Sequence, residues 1–132
     1  AGAQVEAANK YGATALIRAS HHGHQGVVEQ LLRAGAQVEA ANKYGATALI
    51  RASHRGHQGV VEQLLGAGAQ VEAANKYGET ALMKASHHGH QGVVEQLLRA
   101  GAQVEAANEG GATPLLVASE QGHHDVVAAL LR

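Results

Sequence analysis

The sequence predicts an all-α protein, an α-solenoid of four stacked helix-turn-helix units, and three observations carry that expectation. A period of 33 residues recurs four times and fills the 132-residue chain with nothing left over; self-similarity at such a period marks a repeat array. Apolar residues fall at helical spacing twice within each period. A unit this short cannot bury its own apolar face, so the copies must stack on one another as a single domain over residues 1–132. Residues 34–66 repeat residues 1–33 with two changes, His22 to Arg55 and Arg33 to Gly66. In residues 67–99 three positions differ from the first copy, where Ala13, Ile17 and Arg18 become Glu79, Met83 and Lys84; residues 100–132 differ at eleven. No linker or charge block interrupts the series.

Each copy reads in the same order. Asn9-Lys10-Tyr11-Gly12 places Asn first and Gly fourth, the type I turn preference, and Gly45, Gly78 and Gly111 close the equivalent turns. Thr14, Thr47, Thr80 and Thr113 then stand as N-cap or first-turn residues of a short first helix. Its apolar face is Leu16, Ile17 and Ala19, and its end is set by Gly23, Gly56, Gly89 or Gly122, which can take the left-handed conformation. The second helix is expected from about Gln25 to Arg33, with Val27, Val28, Leu31 and Leu32 in one broad apolar stripe. Gly35, Gly68 and Gly101 are the matching stops. Gly26, Gly59 and Gly92 lie in its first turn and lower its intrinsic propensity, so stacking has to stabilise it.

Composition removes several function classes. Apolar residues are 45% of the chain, enough for a core. There is no Cys, which excludes disulfides, thiol catalysis and thiolate zinc, and fits a reducing, cytoplasmic setting. No apolar run approaches the ~18 residues of a membrane span, and nothing from Ala1 onward reads as a signal peptide. Ten Lys+Arg against eleven Asp+Glu leave a net charge of −1, so no basic field exists for nucleic acid. No phosphate loop, dinucleotide fingerprint or Ser-His-acid grouping stands out from the repeat background, and catalysis needs one asymmetric constellation that near-copies do not make. Neither an enzyme nor a cofactor is expected.

These residues resemble the ankyrin repeat. Thr14-Ala15-Leu16-Ile17 stands where that family has Thr-Pro-Leu-His, and Thr113-Pro114-Leu115-Leu116 keeps the Pro. Gly23-His24 followed by Val27-Val28 and Leu31-Leu32 is similar to the family's Gly-His and second-helix core, and Gly35-Ala36 with Val38 to its lead into the hairpin. Two departures stand out. The motif His is replaced by Ile17, Ile50, Met83 and Leu116, and the hairpin Asp by Asn9, Asn42, Asn75 and Asn108. The resemblance implies a right-handed solenoid whose hairpin tips and first helices line a concave groove that binds another protein. The tip residues carried over are Lys10, Tyr11 and Ala13; Lys43, Tyr44 and Ala46; Lys76, Tyr77 and Glu79; and Glu109, Gly110 and Ala112. Those on the helices are His21 and His22, His54 and Arg55, His87 and His88, then Glu120 and Gln121. His24, His57, His90 and His123 hold the Gly-His position, where the imidazole is expected to bond loop backbone and steady the next repeat.

Copies this similar also fit a consensus-type design, a reconstruction or a recent duplication, made or kept as a structural chain with no partner. Groove positions that are nearly copied favour that alternative, because selected binders differ from repeat to repeat. The histidines of the groove, read as exposed, offer no third or fourth ligand around one ion, so no specific metal site is expected. They are expected instead to respond to pH. Protonating all ten His would move the formal charge from −1 to +9, making the groove cationic and self-repelling below about pH 6. Tyr11, Tyr44 and Tyr77 serve either as covers for their own turns or as contact anchors. The first copy lacks a polar outer face, and the pattern after Arg132 would continue at Ala1, so weak head-to-tail self-association is also expected.

Overall fold

The computed structural model describes all 132 residues and contains eight helices: α1 (Ala15–His22), α2 (Gln25–Arg33), α3 (Ala48–Arg55), α4 (Gln58–Gly66), α5 (Ala81–His87), α6 (Gln91–Arg99), α7 (Pro114–Glu120) and α8 (His124–Leu131). The helices fall where the periodicity puts them. α1, α3, α5 and α7 pack side by side as one layer, α2, α4, α6 and α8 as a second, and each odd helix pairs with the even helix that follows it. Strand-type pairing is confined to isolated bridges, Ala8 with Thr14, Ala41 with Thr47 and Ala74 with Thr80.

Local chemistry sets the ends of each first helix. Thr14, Thr47, Thr80 and Thr113 are N-caps whose hydroxyls accept from the backbone N–H three residues on, satisfying a donor that has no partner within the helix. Asn9 Oδ1 accepts from the N–H groups of Tyr11 and Ala13 at 2.9 and 3.0 Å. Asn42, Asn75 and Asn108 repeat that pair, so an amide holds the turn that the family usually gives to Asp. Each turn also hangs on the one before it: the N–H groups of Lys43, Lys76 and Glu109 donate to the carbonyls of Tyr11, Tyr44 and Tyr77 at 2.8, 2.9 and 3.0 Å.

The core runs through the interfaces between copies. Val60 and Val93 are 0% exposed and Val126 is 1%, each packed against the copy before it, whereas the equivalent Val27 of the first copy is 44% exposed. The same stacking buries Ala48 and Ala81 and leaves Ala15 open. At the far end Leu116 is 51% exposed, while Ile17, Ile50 and Met83 in its place are buried. Ser20, Ser53 and Ser86 fill small buried sites, and their hydroxyls have no hydrogen-bond partner.

Candidate functional site

The hairpin tips form an alternating column of ammonium groups and rings. Lys10 and Lys43 lie 5.2 and 4.9 Å from the centre of Tyr11, and Lys43 and Lys76 lie 5.2 and 5.0 Å from Tyr44. Tyr77 has Lys76 at 5.4 Å on one side only, since the next tip carries Glu109. These distances suit cation–π attraction. The three tyrosines remain 39–49% exposed, so the column is ordered and still open to a partner.

Beside the column, first-helix side chains build a polar cluster across two copies. Arg51 on α3 donates to His21 Nδ1 through Nη2 at 2.8 Å and Nε at 3.2 Å, and its Nη1 lies 3.4 Å from His54 Nδ1. Because His21 Nδ1 accepts, the neutral ring carries its proton on Nε2. That nitrogen lies 3.4 Å from Arg55 Nη1, so a donor faces a donor. Arg18 Nη2 lies 3.1 Å from His22 Nε2. Partial burial first, then the charges of Arg51 and Arg55, push the His21 pKa down to about 4. Burial, then His88 and Arg51, push that of His54 down to about 3. Burial and the neighbouring Arg55 and Arg18 also lower the pKa of Arg51. A cavity of about 250 Å³ opens between the first two tips, lined among others by Tyr11, Tyr44, Ala13, Arg18, His21 and Arg51.

Several expectations need correction. Ala13 and Ala46 are only 8% and 5% exposed and pack under the tips, so they offer a partner little surface. His21, His54 and His87 are half-buried rather than open, with His22, Arg55, His88, Glu120 and Gln121 outside them. His54 stacks on His88 with ring centres 4.1 Å apart, a pairing of neighbouring copies that the spacing concealed. No three His, Asp or Glu side chains converge as metal ligands.

The Gly-His imidazoles reach backward rather than forward. His57, His90 and His123 place Nε2 3.0, 2.9 and 3.0 Å from the carbonyls of His21, His54 and His87 in the preceding copy. Each ring lies so close over the earlier glycine that a Cβ at Gly23 would stand 2.7 Å from His57 Nδ1. Gly23 also sits at φ 77°, so both space and backbone exclude a side chain there. His24 has no earlier copy and is exposed. Sequence reasoning missed the role of Glu6, Glu39 and Glu72, whose carboxylates accept from the N–H groups of Gln37, Gln70 and Gln103 at 2.9, 2.9 and 2.7 Å. An acid kept at one place in every copy was the available signal.

A two-layer helical-repeat solenoid with ordered tips and a polar first-helix face defines a class of repeat scaffold. Within that class the chain belongs to the ankyrin repeat family: the family model described as Ankyrin repeats (3 copies) matches residues 1–75 and 59–132. Ankyrin repeats generally serve as protein–protein interaction modules. Comparison with curated proteins finds no match. No helix is long and apolar enough to cross a membrane.

Proposed function

We propose that residues 1–132 act as one non-catalytic scaffold domain that binds another protein through the tips and the first-helix face. The observation that carries this reading is the Tyr11–Tyr44–Tyr77 column: three rings held in register by lysines, yet 39–49% exposed. Rigid exposed aromatics are favoured contact anchors. Lys10, Lys43 and Lys76, with His22, Arg55 and His88, would flank them. Nucleic acid and membrane are not the partners we infer, and a chain without cysteine fits a reducing compartment such as the cytoplasm. The test is capture from a proteome by the chain and by a variant with Tyr11, Tyr44 and Tyr77 all changed to Ala. Specific proteins retained by the first and lost by the second support the reading; identical capture by both defeats it.

Two further readings rest on their own observations. Near-identical groove positions in the first three copies favour a consensus or reconstructed structural chain without a partner, and capture of nothing by either form supports it. The open end faces favour weak self-association. Val27 at one end and Leu116 at the other are halves of an interface used three times inside the chain, so a second copy stacked head to tail would cover both. Apparent mass by light scattering is expected to rise with concentration, and Val27→Glu to abolish the rise. A mass that stays monomeric at high concentration removes this reading.

A further inference from the structure

Charge is not spread evenly along the tips and first helices. In the first two copies this face carries Lys10, Arg18, Lys43, Arg51 and Arg55 and no carboxylate. Among these, the guanidinium groups find only imidazole nitrogens as acceptors, although each offers five N–H donors and no acceptor. The third copy shows what is missing. There Glu79 Oε1 lies 3.7 Å from Lys84 Nζ, and Glu79 and Lys84 occupy the positions held by Ala13 and Arg18 and by Ala46 and Arg51. The fold thus accepts a carboxylate at this place, and the first two copies leave it out and open a cavity of about 250 Å³ there instead.

We propose that this cavity takes carboxylate side chains from an acidic segment of the partner protein, with Arg18 and Arg51 as their cationic partners and Tyr11 and Tyr44 as its walls. The inference rests on the scaffold reading and names the chemistry of its partner. A guanidinium–carboxylate pair is also stronger than the guanidinium–imidazole contact it supplements. A long polyanion fits poorly. The third copy sets Glu79 among its cations Lys76 and Lys84, and Glu109 and Glu120 hold the equivalent places of Lys10 and His21 in the last one. The ligand expected is a short peptide with acidic residues over the first two copies.

The test uses a short fluorescent peptide alternating Glu and Gly, its Gln-Gly counterpart and an oligothymidylate of equal charge, in fluorescence anisotropy titrations near neutral pH. The Glu peptide is expected to bind, more weakly as salt rises, and the Gln peptide not to bind. Two variants lose the site by opposite routes. Arg18→Gln/Arg51→Gln removes the cations, while Ala13→Glu/Ala46→Glu copies the internal pairing of the third repeat and fills the site from within. Each should weaken the Glu peptide about tenfold or more while the far-UV circular dichroism melt stays cooperative; the second variant keeps the test valid if the first fails to fold. Binding unchanged in both, no binding of the Glu peptide, or tighter binding of the oligothymidylate overturns the proposal, the last assigning the face to nucleic acid. Tyrosine-dependent capture of a protein that ignores both charge variants would sink this inference and leave the scaffold reading intact. Arginine-dependent peptide binding, with capture from the proteome identical for the chain and its triple Tyr variant, would uphold the cavity and defeat the tyrosine-carried reading.

Discussion

His24, His57, His90 and His123 share the Gly-His pair, yet only the last three reach a carbonyl in an earlier copy. The difference is environment, so identical substitutions should have unequal effects. His57→Ala removes a partly buried hydrogen bond and the ring over Gly23, and should cost about 1–2 kcal/mol in chemical denaturation. His24→Ala should fall within about 0.5 kcal/mol of the parent. Equal losses at the two positions would show that the inter-copy bond contributes nothing. This is also where legibility ran out at the residue scale. The motif showed that His57 would be structural, but not which copy it steadies, because periodic sequence carries no sign of direction. Ala13 and Ala46 were misplaced for a similar reason: a tip position in sequence can still lie beneath the next tip in space.

At the scale of elements, caps and stop signals were legible because they act within a few residues: Thr14 sets a helix start through its own hydroxyl, and Gly23 and Gly35 set helix ends through their own backbone. Contacts one period apart were not. The glycine in the first turn of each second helix shows the contrast. By propensity alone Gly26, Gly59 and Gly92 look equally unfavourable. In the fold the Gln25 side chain lies directly where a Cβ on Gly59 would go, and Gln58 does the same to Gly92, while nothing approaches Gly26. Gly26→Ala should therefore raise stability by about 0.5 kcal/mol, somewhat below the full interior propensity difference because the site is in the first turn. Gly59→Ala should gain less than Gly26→Ala or lose stability, since Gln25 must swing away from α4. Urea midpoints of the two variants decide it, and a larger gain at Gly59 would mean the glutamine packing has no value.

The whole molecule should respond to pH through groups that stay neutral when folded. A groove turning cationic below about pH 6 requires its imidazoles to titrate normally, but His21 is held down to about 4 and His54 to about 3 by burial and by the neighbouring Arg51 and His88. Burial also lowers His22 and His88. In the unfolded chain the same residues titrate near 6.5. As pH falls through about 6.5, the unfolded state binds protons that the folded state refuses, so stability is lost. The sign is fixed: the neutral-state contribution of His21 and His54 is complete above about pH 6.5 and drains away down to about pH 4 for His21 and about pH 3 for His54. Below about pH 4 His21 charges beside Arg51 and Arg55 in the folded array as well, and its own contribution to the slope ends. The melting temperature should be level from pH 8 to 7 and fall between pH 6.5 and 4. Changing His21 and His54 to Asn, which keeps an acceptor for Arg51 without a titrating ring, should flatten that fall. The same pH dependence in the double variant would place the coupling elsewhere, and a flat parent curve would mean that the imidazoles of the folded array titrate as freely as those of the open chain.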